Sequence, residues 1–286
     1  MNFPSDSSLQ KTTDLQAKSV GKVYLIGAGP GAADLITVRG AKILAKADIV
    51  FYDALVDPSM LELCPQAKLV LVGKRCGKLS TAQNFISKRL VDASEQFGLV
   101  VRLKGGDPMI FGRADEEITT LRKHGVPFEI VPGITSALAA AASIEQSLTL
   151  RGVSRSVAFV TLAKAKEEGD EPTSNHSTLS NLADTMVYYM GKKDTSTIAL
   201  GLMRAGKVAD TPAVIVESIS TPSERIFRTT LAELANDAAL PWLSENAPAI
   251  LVIGEALRTH SIDLCEGETH DGLQNQITFT NSARSA

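Results

Sequence analysis

The stretch VYLIGAGPGA at residues 23–32 decides the fold. Its first four residues are apolar and favour a buried strand, and the glycines that follow end the strand in a tight turn. The residues from Asp34 to Ala47 predict a helix, because their apolar positions recur at helical spacing. A strand, a glycine turn and a helix in this order are typical of the ligand-binding edge of an α/β sheet.

The same alternation continues along the chain. The sequence predicts strands at 49–52, 69–72, 99–103 and 128–131 and a helix at 82–95. A second set consists of an Ala-rich helix at 134–144 and strands at 157–161, 186–190, 213–216, 226–229 and 250–253. Near-continuous apolar strands between helices imply sheets that are covered on both faces. The predicted fold class is therefore α/β.

A chain of 286 residues is long enough for about two domains. We expect two α/β domains at 21–133 and 134–258, with the boundary near Pro132-Gly133. The polar stretches at 1–20 and 259–286 are expected to form a disordered arm and a polar tail, because they have few apolar residues to pack.

Composition excludes several classes of protein. The chain has 29 Lys and Arg against 32 Asp and Glu, so it lacks the broad positive surface of a nucleic-acid-binding protein. No run approaches the roughly 20 apolar residues that span a bilayer, and the start of the chain lacks the apolar core of a secretory signal. Three scattered cysteines form neither a disulfide framework nor a zinc pattern, which predicts a reduced, cytoplasmic compartment.

The glycine turn by itself suggests a dinucleotide site. Residues 27–32 satisfy G-x-G-x-x-A, and Asp53 follows the second strand at about the 20-residue distance of a ribose-binding acid. An NAD-binding Rossmann oxidoreductase is therefore one alternative, and a tight turn without a ligand is another. Pro30 argues against the first, because it removes a backbone N–H that a pyrophosphate would use.

Further glycine motifs end other predicted strands, where open α/β sheets bind ligands. They are VGKR at 72–75, RLKGGDP at 102–108, IFGR at 110–113, VPGIT at 131–135 and YMG at 189–191. Together with GAGPG at 27–31, YD at 52–53, EE at 116–117 and LTLR at 148–151, they resemble the tetrapyrrole methylase family. The resemblance covers roughly residues 21–258.

This resemblance implies S-adenosylmethionine (SAM) as methyl donor, bound in a cleft between the two domains as in class III methyltransferases. The residues it assigns to the donor are Pro30, Gly105, Gly106, Asp107, Ile110, Thr135, Ser136, Met190 and Ile219. Glycines allow close backbone approach, and Asp107 can accept from a ribose hydroxyl or an ammonium group. Several of them have a structural alternative: Asp107 as a helix cap or a turn carboxylate, Thr135 and Ser136 as helix caps, and Ile110 and Met190 as core residues.

The resemblance also implies the acceptor. It is uroporphyrinogen III, methylated at C2 and C7 to give precorrin-2 and two S-adenosylhomocysteine, which feeds sirohaem, cobalamin or haem d1 synthesis. Arg113 and Arg151 would pair with its carboxylates through their planar forks. Glu116 would bind pyrrole N–H groups or hold Arg113, or else complement the helix dipole as a first-turn acid.

The family pattern places a proton acceptor at Asp53 and a proton donor at Lys74. Alternatively Asp53 binds substrate and Lys74 pairs with a propionate. The activated sulfonium needs no metal, and the resemblance implies a homodimer with no nucleic-acid or membrane partner. No dehydrogenase module precedes residue 21, so a stand-alone methyltransferase is expected.

The chain departs from the family pattern on the substrate side. Leu150 stands where many relatives have histidine, and Ala163 stands where another histidine is common. The polar stretch 163–182 that follows is expected to be a loop or insertion. Two alternatives to the leading function therefore stay open: a sister methylase that acts on a later corrin intermediate or another substrate, and a non-catalytic SAM-binding protein.

Overall fold

The computed structural model describes residues 20–72, 79–162 and 183–258. The arm up to residue 19, the stretch 163–182 and the tail 259–286 lie outside these ranges, and so does the candidate Lys74. The division into domains near Pro132-Gly133 stays a prediction. The strands in the described ranges form two five-stranded sheets.

The first sheet is parallel throughout its five described strands. They are β1 (Lys22–Gly27), β2 (Ile49–Tyr52), β3 (Lys68–Leu71), β4 (Leu99–Lys104) and β5 (Phe128–Val131), in the order β3-β2-β4-β1-β5. In the dinucleotide-binding order the first strand lies beside the second, whereas here β4 separates β1 from β2. The carboxyl ends of these strands share one edge of the sheet, which is where ligands bind in open α/β folds.

Helices cover both faces of this sheet. On one face α2 (Leu79–Ser94) and α3 (Ala114–Lys123) pack around Phe51, and α1 (Val38–Leu44) covers the other. The predicted helix from Asp34 is too long at both ends. The α-helix begins at Val38, because the Thr37 hydroxyl accepts a hydrogen bond from the Gly40 N–H at 3.1 Å and caps it there.

The second sheet is mixed. Its strands are β6 (Val157–Thr161), β7 (Thr185–Tyr189), β8 (Pro212–Glu217), β9 (Arg225–Thr230) and β10 (Ala249–Ile253), in the order β6-β7-β10-β8-β9. The pair β6 and β7 is parallel, and the other neighbours are antiparallel. The strand predicted to reach Met190 ends at Tyr189, which leaves Met190 in the turn that follows.

Helix α4 (Ser136–Ser143) packs its alanines on this second sheet, against Val187, Val214 and Val252. Helices α5 (Thr195–Arg204) and α6 (Leu231–Ala235), which the sequence analysis does not predict, pack on the opposite face. No helix in the described ranges is both long and apolar enough to cross a membrane.

Candidate active site

The loops at the carboxyl ends of β1, β4 and β5 approach one another closely at glycines. A Cβ atom built on Gly27 would lie 2.5 Å from the Cα of Gly133 and 2.7 Å from the carbonyl oxygen of Gly106. Gly29 and Gly106 exchange backbone hydrogen bonds of 3.2 and 2.7 Å, and both have positive φ angles, 81° and 68°. Because side chains would separate these loops, glycine is required for β1, β4 and β5 to end this close together.

Asp107 ties two of these loops together. One carboxylate oxygen accepts from the Met109 N–H at 2.8 Å, and the other accepts from the Gly133 N–H at 2.9 Å. Asp107 therefore does act as a turn carboxylate. Each oxygen keeps a second lone pair, so its contact with a donor molecule stays a prediction.

A cavity of about 260 Å³ lies where the glycine turn after β1 meets the loop after β8. It is lined by Pro30, Gly31, Ala54, Leu55, Val56, Asp57, Pro58, Ser218, Ile219, Thr221, Asn246 and Pro248. A Cβ atom on Gly31 would lie 2.5 Å from the Ile219 carbonyl oxygen. The Ile219 side chain is buried in the core, so it is the backbone carbonyl of Ile219 that faces the turn. The structure thus brings together Pro30 and Ile219, which are far apart in sequence, at one cavity.

The Thr135 hydroxyl does not cap α4 among the described residues. It lies 2.6 Å from the hydroxyl of Tyr189, which also accepts a hydrogen bond from the Ala137 N–H at 3.2 Å. Tyr189, the last residue of β7, thus anchors the start of α4 on the second sheet. Tyr189 belongs to the YMG motif, and no role was predicted for it from the sequence. Ser136 is the first residue of α4 and is half-buried.

Tyr189→Phe is expected to lower the free energy of unfolding by about 1–3 kcal/mol, because it leaves the buried Thr135 hydroxyl and Ala137 N–H without this partner. Tyr188→Phe is the matched control, since the buried Tyr188 hydroxyl donates to the Met186 sulfur at 3.7 Å, a weak acceptor. Urea denaturation of both variants measures the difference. Equal losses would contradict an anchoring role for Tyr189.

Several residues in the loops after β4 and β7 adopt left-handed backbone conformations that are uncommon outside glycine. They include Phe111, Arg113 and Met190, with φ angles of 50°, 54° and 58°. The Phe111 ring packs at a tilt of 58° against the Tyr189 ring, with centroids 5.0 Å apart. Phe111 is 41% exposed, and Met190 is 55% exposed. Such backbone strain clusters at functional sites. The exposed Met190 is not a core residue, whereas the half-buried Ile110 packs against the core beneath α4.

The predicted substrate-side residues differ in their partners and exposure. Arg113 pairs with Glu116 through both fork positions, Nε to Oε1 at 2.6 Å and Nη2 to Oε2 at 2.8 Å. Both side chains are about 40% exposed. Arg151 lies in an exposed turn that is closed by the bridge between Leu150 and Ser154. Of the proposed roles of Glu116, holding Arg113 is therefore the one that this geometry shows.

A buried charge cluster that was not predicted from the sequence lies beside Asp53. Glu117 is fully buried and accepts from Arg102 Nε at 3.1 Å, Lys104 Nζ at 3.1 Å and Gln83 Nε2 at 3.0 Å. Two signals reveal it. The positions Ala114, Glu117, Ile118 and Leu121 form the buried helical face of α3. Arg102 and Lys104 alternate with apolar residues on β4, so both point to the face that α3 covers.

Asp53 adjoins this cluster at the end of β2. One carboxylate oxygen accepts from the Leu55 N–H at 3.1 Å, and the other lies 3.6 Å from Arg102 Nη2. The side chain is 25% exposed. Desolvation and the neighbouring Arg102 lower the pKa of the Lys104 ammonium, while Glu117 and Asp53 act in the opposite direction.

Comparison with known proteins agrees with this architecture. Residues 22–235 match the family described as Tetrapyrrole (Corrin/Porphyrin) Methylases. The uroporphyrinogen-III C-methyltransferase of Pseudomonas aeruginosa is 46% identical over 238 residues, which are 83% of this chain and 95% of that protein. A siroheme synthase of Psychrobacter cryohalolentis is 41% identical over 261 residues, 91% of this chain but 49% of that protein. The chain thus spans about half the length of that relative.

A solved structure extends the comparison. The uroporphyrin-III C-methyl transferase of Thermus thermophilus, complexed with S-adenyl homocysteine, is 38% identical and superposes with a TM-score of 0.69. The match covers 83% of this chain and 99% of that one. Together with the strand order of the first sheet, it shows that the NAD-binding alternative is wrong. The chain belongs to the tetrapyrrole (corrin/porphyrin) methylase family.

Proposed function

We propose that this chain transfers methyl groups from SAM to C2 and C7 of uroporphyrinogen III, giving precorrin-2 and two S-adenosylhomocysteine. The main support is the junction of the glycine turns after β1, β4 and β5 beside the cavity at Pro30 and Ile219. It lies where the family resemblance expects the donor. The Pseudomonas aeruginosa relative of this name, matched over 95% of its length, supports the same activity.

The donor side of the site is built mainly from backbone. Gly106 leaves room for a ligand to approach the end of β4, whereas the space beside Gly105 is filled by Leu55. Met190 lies exposed at the end of β7 and can contact an adenosyl group with its polarisable side chain. The sulfonium of SAM is already activated, so the protein's contribution is to align the methyl group with the attacking pyrrole carbon.

The acceptor side must hold an anion. A chain with a net charge of −3 has to concentrate positive charge locally to bind a substrate rich in carboxylates. Arg113 and Arg151 are proposed to do this. When the pyrrole carbon bonds to the methyl carbon, the C–S electron pair goes to sulfur and the ring becomes cationic until it loses a proton. The Asp53 carboxylate is proposed to face this charge, either as proton acceptor or as an anion that stabilises it.

Arg151→Ala is expected to reduce turnover roughly 10- to 100-fold and to leave SAM affinity unchanged, because one charge-assisted pair with the acceptor is lost. Arg151→Lys should restore turnover in part, since it keeps the charge but loses the fork. Arg155→Ala is the control, because it removes another exposed arginine of the same segment. A parallel fall in SAM affinity, measured by calorimetry, would contradict the assignment of Arg151 to the acceptor.

The test of the whole proposal is anaerobic incubation with SAM and uroporphyrinogen III, followed by mass spectrometry. Two added methyl groups per macrocycle are expected. Methylation of a later corrin intermediate instead would identify a sister methylase, and SAM binding without turnover of either substrate would identify a non-catalytic binder. A homodimer and a cytoplasmic location are further proposals, which rest on the family resemblance and on the scattered cysteines.

A further inference from the structure

The buried charges of Arg102, Lys104 and Glu117 do not sum to zero. Within the described residues of this cluster, Arg102 and Lys104 are each 4% exposed and Glu117 is fully buried, so two cations share one carboxylate. An uncompensated charge inside a protein is costly, by several kcal/mol for an ion without a partner. Asp53 supplies a second carboxylate at the rim, with one oxygen 3.6 Å from Arg102 Nη2. Counting Asp53 as ionised makes the cluster neutral.

Arg102 is held in a fixed orientation. Its Nε donates to Glu117 at 3.1 Å, and its Nη1 donates to the carbonyl oxygens of Leu103 at 2.8 Å and Phe51 at 3.4 Å. Because the guanidinium is planar and rigid, these bonds also fix the position of Nη2. Glu117 is in turn held by Lys104 and Gln83. A chain of contacts therefore runs from the core beneath α3 to Asp53 at the carboxyl end of β2.

Asp53 is oriented from two sides by this arrangement. Arg102 lies beside one carboxylate oxygen, and the Leu55 N–H donates to the other at 3.1 Å. The turn that carries Leu55 packs on the loop of Gly105 and Gly106, since a Cβ atom on Gly105 would lie 2.9 Å from the Leu55 Cβ. A quarter of the Asp53 side chain is still exposed at the strand end. Its carboxylate is thus fixed relative to the loop proposed to bind the methyl donor.

We propose that Arg102, held in place by Glu117, is a positioning residue that holds the Asp53 carboxylate in a fixed orientation at the end of β2 during methyl transfer. This inference rests on the proposed function. Both roles considered for Asp53, proton acceptor and stabiliser of the cationic ring, require an ionised carboxylate in a defined place. Preorganised charge of this kind acts on the transition state without reorganisation during the reaction.

A double-mutant cycle on kcat tests the inference. Arg102→Met leaves Lys104 paired with Glu117, so the buried pair remains balanced while Asp53 loses its neighbour. We expect kcat to fall roughly 10- to 100-fold in both Arg102→Met and Asp53→Asn, with SAM affinity within about threefold of wild type. The double variant should be no slower than Asp53→Asn alone, because Arg102 acts through Asp53. Arg102→Lys should recover part of kcat.

The outcomes of the cycle distinguish action of Arg102 through Asp53 from an independent effect of Arg102. If the two losses multiply in the double variant, Arg102 acts independently of Asp53 and the inference fails. If Arg102→Met does not fold, the same cycle is run with Arg102→Gln, which keeps a hydrogen-bond donor but removes the charge. An unchanged kcat in whichever of Arg102→Met and Arg102→Gln folds would also overturn the inference. A wild-type chain that methylates no tetrapyrrole would overturn the proposed function, whereas an active wild type with additive losses overturns the positioning role alone.

Discussion

Glu117→Ala is expected to lower the free energy of unfolding by about 3–5 kcal/mol, the usual cost of removing one partner from a buried ion pair. The variant leaves Arg102 and Lys104 buried without the carboxylate that accepts from both. Gln83 loses the same acceptor. Chemical denaturation at neutral pH measures the effect.

The adjacent acid provides the control. Glu116 lies in the same turn of α3, but its pair with Arg113 is about 40% exposed. Glu116→Ala should cost less than about 1 kcal/mol, because solvent screens exposed pairs. If the two variants lost equal stability, the buried cluster would not be the reason.

The loss of unfolding free energy in Glu117→Ala, relative to wild type, should also depend on pH. Burial and Arg102 already lower the pKa of Lys104 in the folded chain, and Glu117 opposes that shift. Without Glu117 the folded chain gives up the Lys104 proton at a lower pH, whereas the unfolded chain keeps it up to its ordinary pKa. Stability rises with pH wherever the unfolded state binds more protons. The difference from wild type should therefore narrow as the pH rises toward 10.5, the ordinary pKa of a lysine.

The contrast between Glu116 and Glu117 shows which features of the structure can be predicted from the sequence. Continuous apolar runs predict the strands of both sheets closely, and central strands such as β8 and β10 are buried along nearly their whole length. Residue type alone does not distinguish Glu116 from Glu117. Ala114, Ile118 and Leu121 face the core and so determine which side of α3 is buried. Glu117 lies on that buried side. A helical-face analysis of this segment would have found Glu117.

Other features depend on contacts between distant parts of the chain. No local pattern places the Tyr189 hydroxyl against Thr135, because those residues are brought together by packing of α4 on the second sheet. The position of β4 between β1 and β2 is likewise a property of the assembled sheet. The glycine motifs, by contrast, are readable in sequence, since each close approach requires a missing side chain.

Gly106→Val is expected to weaken SAM binding roughly 100-fold or more, which is at least about 2.7 kcal/mol. A Cβ atom at Gly106 would have Thr135 Cα, 4.0 Å away, as its nearest described neighbour, so the protein itself leaves room there. That room is where the donor is proposed to lie. Titration calorimetry with SAM measures the loss, and a variant that binds SAM normally would show that this loop does not face the donor.

Backbone strain must be separated from blocked space in this experiment. Gly106 has a φ angle of 68°, and any L-residue there costs roughly 1–2 kcal/mol in a left-handed conformation. Gly125 has a φ angle of 66°, and no described atom lies within 4 Å of its Cβ position. It lies in the turn between α3 and β5, at the opposite edge of the sheet. Gly125→Val should therefore lose similar stability and bind SAM like wild type. If both variants lost SAM affinity equally, general destabilisation and not occupation of the cleft would explain the result.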